Sequence, residues 1–284
     1  MNDASAKGPR YGVVDIEYAK KLATTEPDQD GPVWMVNLMH YRESADYQDG
    51  QESQISGRQA DDIYSPVDVL AKIGAELVFI AEVEEQLLGK DPLWDRVAIV
   101  KYPTRKSFIE MQQREDFQEK HVHKEAGMKS TIVMGGLPTP LPEMEGVSSV
   151  DPDQVPHPAT EEDGEIVVLH VLKYEESVDL GQNPEDMNNY SSEAAKVAAQ
   201  HGVSVSGFFA VEGTILGDGR DWDQIRFINY PSKRAFMAVV SDPDRLKAQV
   251  HREKAISDTY TLILRPTLNP VSYTHLTLPT SDLV

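Results

Sequence analysis

Short apolar runs alternate with stretches of helical spacing along the chain, and the whole alternation occurs twice. In the first half, Val33–Tyr41 is a compact apolar run entered through Gly31-Pro32, and it predicts a strand. Arg42–Asp62 is polar, carries Gly50 and Gly57, and predicts a loop. Ile63–Ile73 has helical spacing and stops at Gly74. Ala75–Val83 predicts a second strand, Leu87–Pro92 a turn, and Arg96–Tyr102 a third strand closed by Pro103. Thr104 is an N-cap residue for one long helix to about Lys124, with Phe108, Met111 and Phe117 on one buried face. Ser130–Met134 predicts a fourth strand.

The second half repeats this order. Ile166–Tyr174 predicts a strand, Glu185–Gln200 a helix ending near His201-Gly202, and Val203–Val211 and Gln224–Tyr230 two more strands. A helix from Ser232 to about Glu253 and a strand at Thr259–Leu264 follow. Between the halves, Pro138–Gly164 holds six prolines and seven acidic residues and predicts a linker. Asp15–Ala23 predicts a short accessory helix.

The repetition extends to residue identity. Residues 74–139 realign 128 positions later without a gap, with seventeen identities over 66 positions. They include Gly74/Gly202, Trp94-Asp95/Trp222-Asp223, Tyr102-Pro103/Tyr230-Pro231 and Val122-His123/Val250-His251. A repeat this long is a folded module rather than a solenoid unit. The expected fold class is α+β: two tandem ferredoxin-like (βαββαβ) domains forming an intrachain dimeric α+β barrel. The expected organisation is an N-terminal extension at 1–30, a first domain at 31–139, a linker at 140–163 and a second domain at 164–270. A tail at 271–284 ends the chain.

A ferredoxin-like sheet has helices on one face only, so its other face needs cover. Period two divides the strand residues. Trp34, Val36 and Leu38, with Val167, Leu169 and Val171, suit a helix-packed face. Met35, Asn37, Met39 and Tyr41, with Val168, His170, Leu172 and Tyr174, would then point into an interface between the sheets. Ala98, Val100 and Tyr102 match Arg226, Ile228 and Tyr230 on that same side. Polar groups on a mostly apolar inner face are what a small-molecule pocket requires.

Composition narrows the function classes. A net charge of −20 disfavours nucleic-acid and anionic-membrane partners, since both need a cationic surface. The absence of cysteine excludes disulfides, thiolate metal sites and cysteine nucleophiles. Met1–Arg10 lacks the apolar centre of a signal peptide and no long apolar run predicts a membrane span, so cytoplasmic location is expected. Val271–Val284 resembles a translated sequencing-library adapter of the kind met in metagenomic genes, and it is excluded from the fold. His275 and Tyr273 therefore carry no expectation of function.

The strings VWMVNLMHYR (33–42), WDRVAIVKYPTRKSF (94–108) and WDQIRFINYPSKRAF (222–236), with VHKEAG and VHREKA, resemble domain-of-unknown-function family 1330. The resemblance covers 31–139 and 164–267 and implies the dimeric α+β barrel superfamily. It further implies a range that runs from cofactor-free monooxygenases, isomerases and cyclases to haem-binding enzymes and ligand-binding modules. Lys124 stands where the second copy has Arg252, and His170 where the first has Asn37, so the halves are not equivalent sites.

His123 and His251 occupy one position in both copies. They suit proton transfer, or, beside a cation in the last helical turn, a complement to the helix dipole. His170 and Arg226, with Asn37, Tyr41, Tyr102, Tyr174 and Tyr230, suit an enolate or carboxylate site in which Arg226 holds an anion and His170 moves a proton. The plain alternative is that they bond loops and water at strand ends. Arg226 has Ala98 as its counterpart, which marks one half as the working pocket. Arg58 lies in a loop able to reach an anionic ligand, or in a solvated one. The Trp-Asp pairs suit turn anchors, with the Asp side chain bonding nearby amides.

The expected activity is a small-molecule lyase, isomerase or monooxygenase using acid–base chemistry with no cofactor and no metal. His170, His251, Arg226 and His123 are its catalytic candidates, and Asn37, Tyr41, Tyr174, Tyr230 and Arg58 its binding candidates. A small-molecule ligand is the expected partner, with neither nucleic acid nor membrane, and a homodimer stays open. A non-catalytic ligand-binding or structural barrel and a haem-binding protein are the alternatives.

Overall fold

The computed structural model describes residues 8–140, 150 and 154–266. The excluded tail at 271–284 lies outside the described residues, as does part of the linker. The chain divides into two compact units that exchange segments. The first comprises Met1–Ile80, Asp91–Leu137 and Glu212–Asp221; the second comprises Ala81–Lys90, Pro138–Val211 and Trp222–Val284.

The first unit opens with β1 (Val13–Val14), α1 (Ile16–Thr24) and β2 (Val33–Tyr41). The helices α2 (Gly57–Tyr64) and α3 (Val67–Lys72) precede β3 (Glu76–Leu88), and β4 (Arg96–Tyr102) follows. After them come α4 (Arg105–Gln112), α5 (Glu115–Gly127) and β5 (Met128–Pro138). The second half contains β6 (Ile166–Tyr174), α6 (Glu185–Ala199), β7 (Ser204–Gly217) and β8 (Gln224–Tyr230). It finishes with α7 (Lys233–Ser241), α8 (Pro243–Ala255) and β9 (Ile256–Pro266).

The strands β3 and β7 run past the points where sequence patterning ends them. Strand β3 begins in the first unit, and from Ala81 it lies in the second, where Ala81 opposes Pro266 and Val83 opposes Leu264 on β9. Strand β7 pairs with β8 from Ser204 to Ala210, and from Glu212 it lies in the first unit, where Leu216 and Gly217 oppose Val14 and Val13. The hydrogen-bonded order is β1-β7-β5-β2-β4-β3-β9-β6-β8, and a β7–β8 pairing closes it with β1 outside the ring. This is a closed eight-stranded antiparallel β-barrel with helices, which overturns the expectation of two tandem ferredoxin-like domains forming an α+β barrel. The physical reason is that no repeat keeps the whole of its own second strand: each unit is completed by the far half of the other repeat's strand.

A glutamate sits in each exchanged half, and the two are repeat-related. Glu212 accepts from Arg105 Nε and Nη2 at 2.8 and 2.9 Å, from Tyr18 Oη at 3.1 Å, and pairs with Lys21 at 3.0 Å. Burial alone would raise its carboxyl, but the hydrogen bonds from Arg105 and Lys21 outweigh burial and hold it below its ordinary value. Glu84 accepts from Lys233 at 2.7 Å and from Arg265. The helices that carry Arg105 and Lys233 are capped alike. Asp30 accepts from the Arg105 amide at 2.8 Å, and Asp163 from the Lys233 amide at 2.7 Å. Tyr18 lies flat where β5 and β7 carry Gly135 and Gly213; a Cβ on Gly213 would fall 2.6 Å from its ring.

Several expected elements differ. The stretch Arg42–Asp62 contains the start of α2, with a capping box in which Ser56 and Gln59 bond each other's backbone. Gly57 permits this, since a Cβ there would meet the Gly127 and Arg42 backbones at 2.3 and 2.5 Å. The expected helix 63–73 breaks at Ser65-Pro66. Each expected long helix splits in two, at Gln113-Arg114 and at Asp242, where Asp242 caps α8 and Pro243 occupies its first turn.

The assignment of faces is inverted. Tyr18, Leu22, Val69, Leu70, Met111 and Phe117, all on helices, pack with Val33, Met35 and Tyr102. In the second unit, helical Val197, Phe236 and Val239 pack with Val168 and Tyr230, while Met187 packs with Leu172 and Tyr174. The face holding Met35 and Tyr41, or His170 and Tyr174, is thus the helix-covered one. The opposite face is apolar at its centre, with Val36, Leu38, Val97, Ile99, Val167, Leu169, Ile225 and Phe227 no more than 1% exposed, and carries Lys101 and Asn229 toward its ends.

The two exchange pairs differ in burial, and stability should follow. The Glu212 and Arg105 side chains are 4% and 9% exposed, against 32% and 35% for Glu84 and Lys233. Glu212→Ala strands a buried guanidinium and is expected to cost ~3–5 kcal/mol in urea unfolding. Glu84→Ala is expected to cost about 1 kcal/mol or less. Equal losses would show that burial of the first pair is not what holds β7.

Candidate functional site

The second unit carries a polar row across its helix-covered face. Cross-strand register places Phe208 of β7 opposite Arg226 of β8, Arg226 opposite His170 of β6, and His170 opposite Thr261 of β9. Directly opposed residues share a face, so these four side chains stand side by side. His170 Nδ1 lies 3.2 Å from Thr261 Oγ1. The Arg226 guanidinium stacks 4.9 Å from the Phe208 ring centroid. Its Nε donates to Gln224 Oε1 and its Nη1 to Ser191 Oγ of α6 at 3.1 Å.

Two further arginines come from α8, seven residues apart and so on one helical face. Arg245 donates to Tyr190 Oη through Nε and Nη2 at 3.2 and 3.0 Å. Arg226 Nη2 and Arg252 Nη2 are buried without a hydrogen-bond partner among the described residues. Among the described residues, none of the three arginines is ion-paired with a carboxylate. Burial first, then the charges of Arg252, Arg226 and Arg245, pushes the His170 imidazole down to about 3, so it is neutral near pH 7. Burial also lowers Arg226 and Arg252, though a guanidinium keeps its proton in proteins.

Beside this row, Asn183 Oδ1 accepts from Tyr174 Oη and from Gln224 Nε2, both at 2.8 Å. The first unit has the same arrangement with charges. Asp61 of α2 accepts from Tyr41 Oη at 2.7 Å and pairs with Arg96 Nη1 at 3.4 Å, and Asp62 pairs with the same nitrogen at 3.1 Å. Arg96 and Gln224 are repeat equivalents, as are Tyr41 and Tyr174. The first unit therefore neutralises its buried cation internally. At the positions of Arg226, Arg245 and Arg252 it has Ala98, Phe117 and Lys124. Lys124 lies over the Tyr64 and Tyr11 rings at 5.2 and 5.9 Å, and burial lowers it below its ordinary value.

The other sequence candidates are dispersed. His251 Nδ1 bonds Asp186 in the first turn of α6, and His123 Nδ1 bonds Tyr47 Oη at 2.8 Å. Asn37 donates to the Met35 carbonyl at 2.9 Å, Arg58 pairs with Asp62 at 3.6 Å, and Tyr230 packs edge-on against Phe236. Thus His170, Arg226 and Tyr174 share one network, while His123, Asn37, Tyr41 and Arg58 belong to the first unit. Both Trp-Asp aspartates anchor turns: Asp95 accepts the Tyr41 amide at 2.8 Å and Asp223 the Tyr174 amide at 2.7 Å. Sequence reasoning missed Arg245, Tyr190, Ser191 and Thr261. Repeat alignment carries a signal for the first, since Phe117 and Lys124 change together to Arg245 and Arg252.

Among the described residues, no group of three or more carboxylate and imidazole side chains could hold a metal ion, and no helix is long and apolar enough to cross a membrane. No protein-family model matches the chain, and no curated protein matches it. Similar solved structures include the methylated RPA0582 protein, 27% identical over 46% of this chain and 98% of that one, with a TM-score of 0.40. That protein is of unknown function and comes from Rhodopseudomonas palustris. A chlorite dismutase mutant from Candidatus Nitrospira defluvii, in complex with cyanide, is 12% identical over 89% of this chain and 95% of that one, with a TM-score of 0.48.

Acid should expose the cost of charging His170. Its folded-state value lies below the ordinary 6.5, so the neutral imidazole contributes stability that is lost as pH falls from about 6.5 toward 3. His121, lowered to about 4 by burial and Lys124, acts in the same direction. His170→Gln should therefore give a shallower fall of the urea midpoint between pH 6.5 and 4 than the parent, with the His121 contribution remaining. Parallel curves would mean that His170 already titrates normally.

Proposed function

We propose that the second unit binds a small anionic metabolite beneath α6 and α8 and moves a proton on it through His170. The reaction is then cofactor-independent acid–base chemistry of lyase, isomerase or monooxygenase type in a cytoplasmic protein. The observation that carries this reading is the pair of buried, unpartnered Nη2 groups on Arg226 and Arg252, beside arginines without a carboxylate. A buried guanidinium donor left unmade is costly, and a bound carboxylate or phosphate oxygen supplies what it lacks. The sequence differences between the halves support a single working unit.

Substrate charge also bears on the chemistry. With His170 down at about 3, the imidazole is a poor base. An anion between the guanidiniums offsets the field that depresses it, so the substrate itself raises the basicity of the group that deprotonates it. Thr261 orients the ring through Nδ1, and Tyr174, held by Asn183, stands in the adjoining network. The Asp186–His251 pair at the start of α6 is the second proton carrier in this reading.

Isothermal titration with acetate, succinate and inorganic phosphate tests the binding step. Arg226→Gln and Arg252→Gln are each expected to weaken binding on the order of 10–100-fold. Affinities that ignore both substitutions would overturn the reading. For the proton step, a 2-oxo acid in D2O should exchange its C3 protons on the parent protein. His170→Ala should bind that acid and leave the exchange at the solvent rate. If added haem instead develops a Soret band that His170→Ala abolishes, the haem reading replaces this one.

A further inference from the structure

The three-arginine cluster specifies how much charge the ligand carries. This inference rests on the anion-site reading above and concerns its substrate class. The cluster differs from its counterpart in the first unit by three coordinated changes: Ala98 to Arg226, Phe117 to Arg245 and Lys124 to Arg252. The first unit thus holds one cation at these positions, and Asp61 lies close enough to favour its charge. The second holds three cations, and its nearest equivalent of Asp61 is the neutral Asn183. His170 adds none, being neutral, and Tyr174 and Tyr230 are both pushed up by burial, so they keep their protons and add no negative charge.

The two unpartnered donors sit on different elements, Arg226 on β8 and Arg252 on α8, and the two charges are close enough to disfavour each other. Arg226 is 7% exposed, so water does little to screen that repulsion. Glu253 lies close enough to Arg252 to favour its charge, so the cluster carries an excess of two positive charges, and a singly charged ligand leaves one of them unbalanced. A ligand with two negative charges balances the cluster, with Tyr190 Oη already accepting from Arg245. We infer that the second unit is built for a doubly charged oxyanion, a dicarboxylate or a phosphate monoester, and discriminates against the matching monoanion. Arg226 and Arg252 contact the ligand in this account, whereas Arg245 acts through its charge and positions Tyr190.

Paired probes on the unmodified protein test the charge requirement without any risk of misfolding. Succinate is compared with monomethyl succinate, and methyl phosphate with dimethyl phosphate, by isothermal titration at pH 7.5 and constant ionic strength. The dianion of at least one pair should bind roughly 10-fold or more tightly than its ester, as expected for one added charge-assisted contact. The pair with the larger ratio identifies the source of the charge as carboxylate or phosphate. Arg245→Gln should lower that ratio while monoanion binding persists. Equal affinities within both pairs would overturn the dianion inference and leave the anion site standing. If none of the four probes binds, the anion-site reading itself fails.

Discussion

Two glutamates on two traded strands decide the architecture. A carboxylate such as Glu212 can leave water only where cations and hydroxyls meet it, and here Arg105, Lys21 and Tyr18 all belong to the first unit. The far half of β7 is therefore held in that unit although its near half pairs with β8. Glu84 on β3 meets Lys233 and Arg265 of the second unit at a more exposed place, so its hold is weaker. Because each exchange is tied to the first turn of a helix capped by Asp30 or Asp163, strand, helix and cap form one linked set in each unit. A ferredoxin-like module would keep the whole of its own second strand; these ion pairs belong to a chain that does not.

Closing the hydrogen-bond order changes what each face of the sheet is for. The centre of the face without helices is lined by buried Val, Ile, Leu and Phe, where an unpaired polar group would be costly. Polar residues on the alternate positions lie under the helices, where helical side chains can answer them. There the repeats diverge. The row Ala98, Asn37 and Val133 in the first unit becomes Arg226, His170 and Thr261 in the second. Ion pairs with Asp61 and Asp62 satisfy the first unit from within, while among the described residues the second keeps one guanidinium donor each on Arg226 and Arg252 without a partner.

Much of the local structure was legible. Strands β2, β4, β6 and β8 fall where the apolar runs place them, and the Trp-Asp turns bond as their Asp side chains predict. His170 and Arg226 were singled out together and prove to be cross-strand neighbours. Their face was assigned wrongly because period two separates two faces without saying which one the helices cover. The apolar runs end at Val83 and Val211, whereas β3 and β7 continue through Glu84 and Glu212 to Leu88 and Gly217. They continue because those glutamates have partners more than a hundred residues away.

The amino-acid sequence by itself determined the realignment of 74–139 at a constant offset, the order of the main strands and the asymmetry between Lys124 and Arg252, since all three are carried by local spacing and by comparison of one half with the other. Only the tertiary structure decided the strand exchange, the covered face, and the gathering of Arg245 and Arg252 around His170. Those depend on which distant groups meet and what they bury, a matter of desolvation and charge pairing that no local pattern encodes.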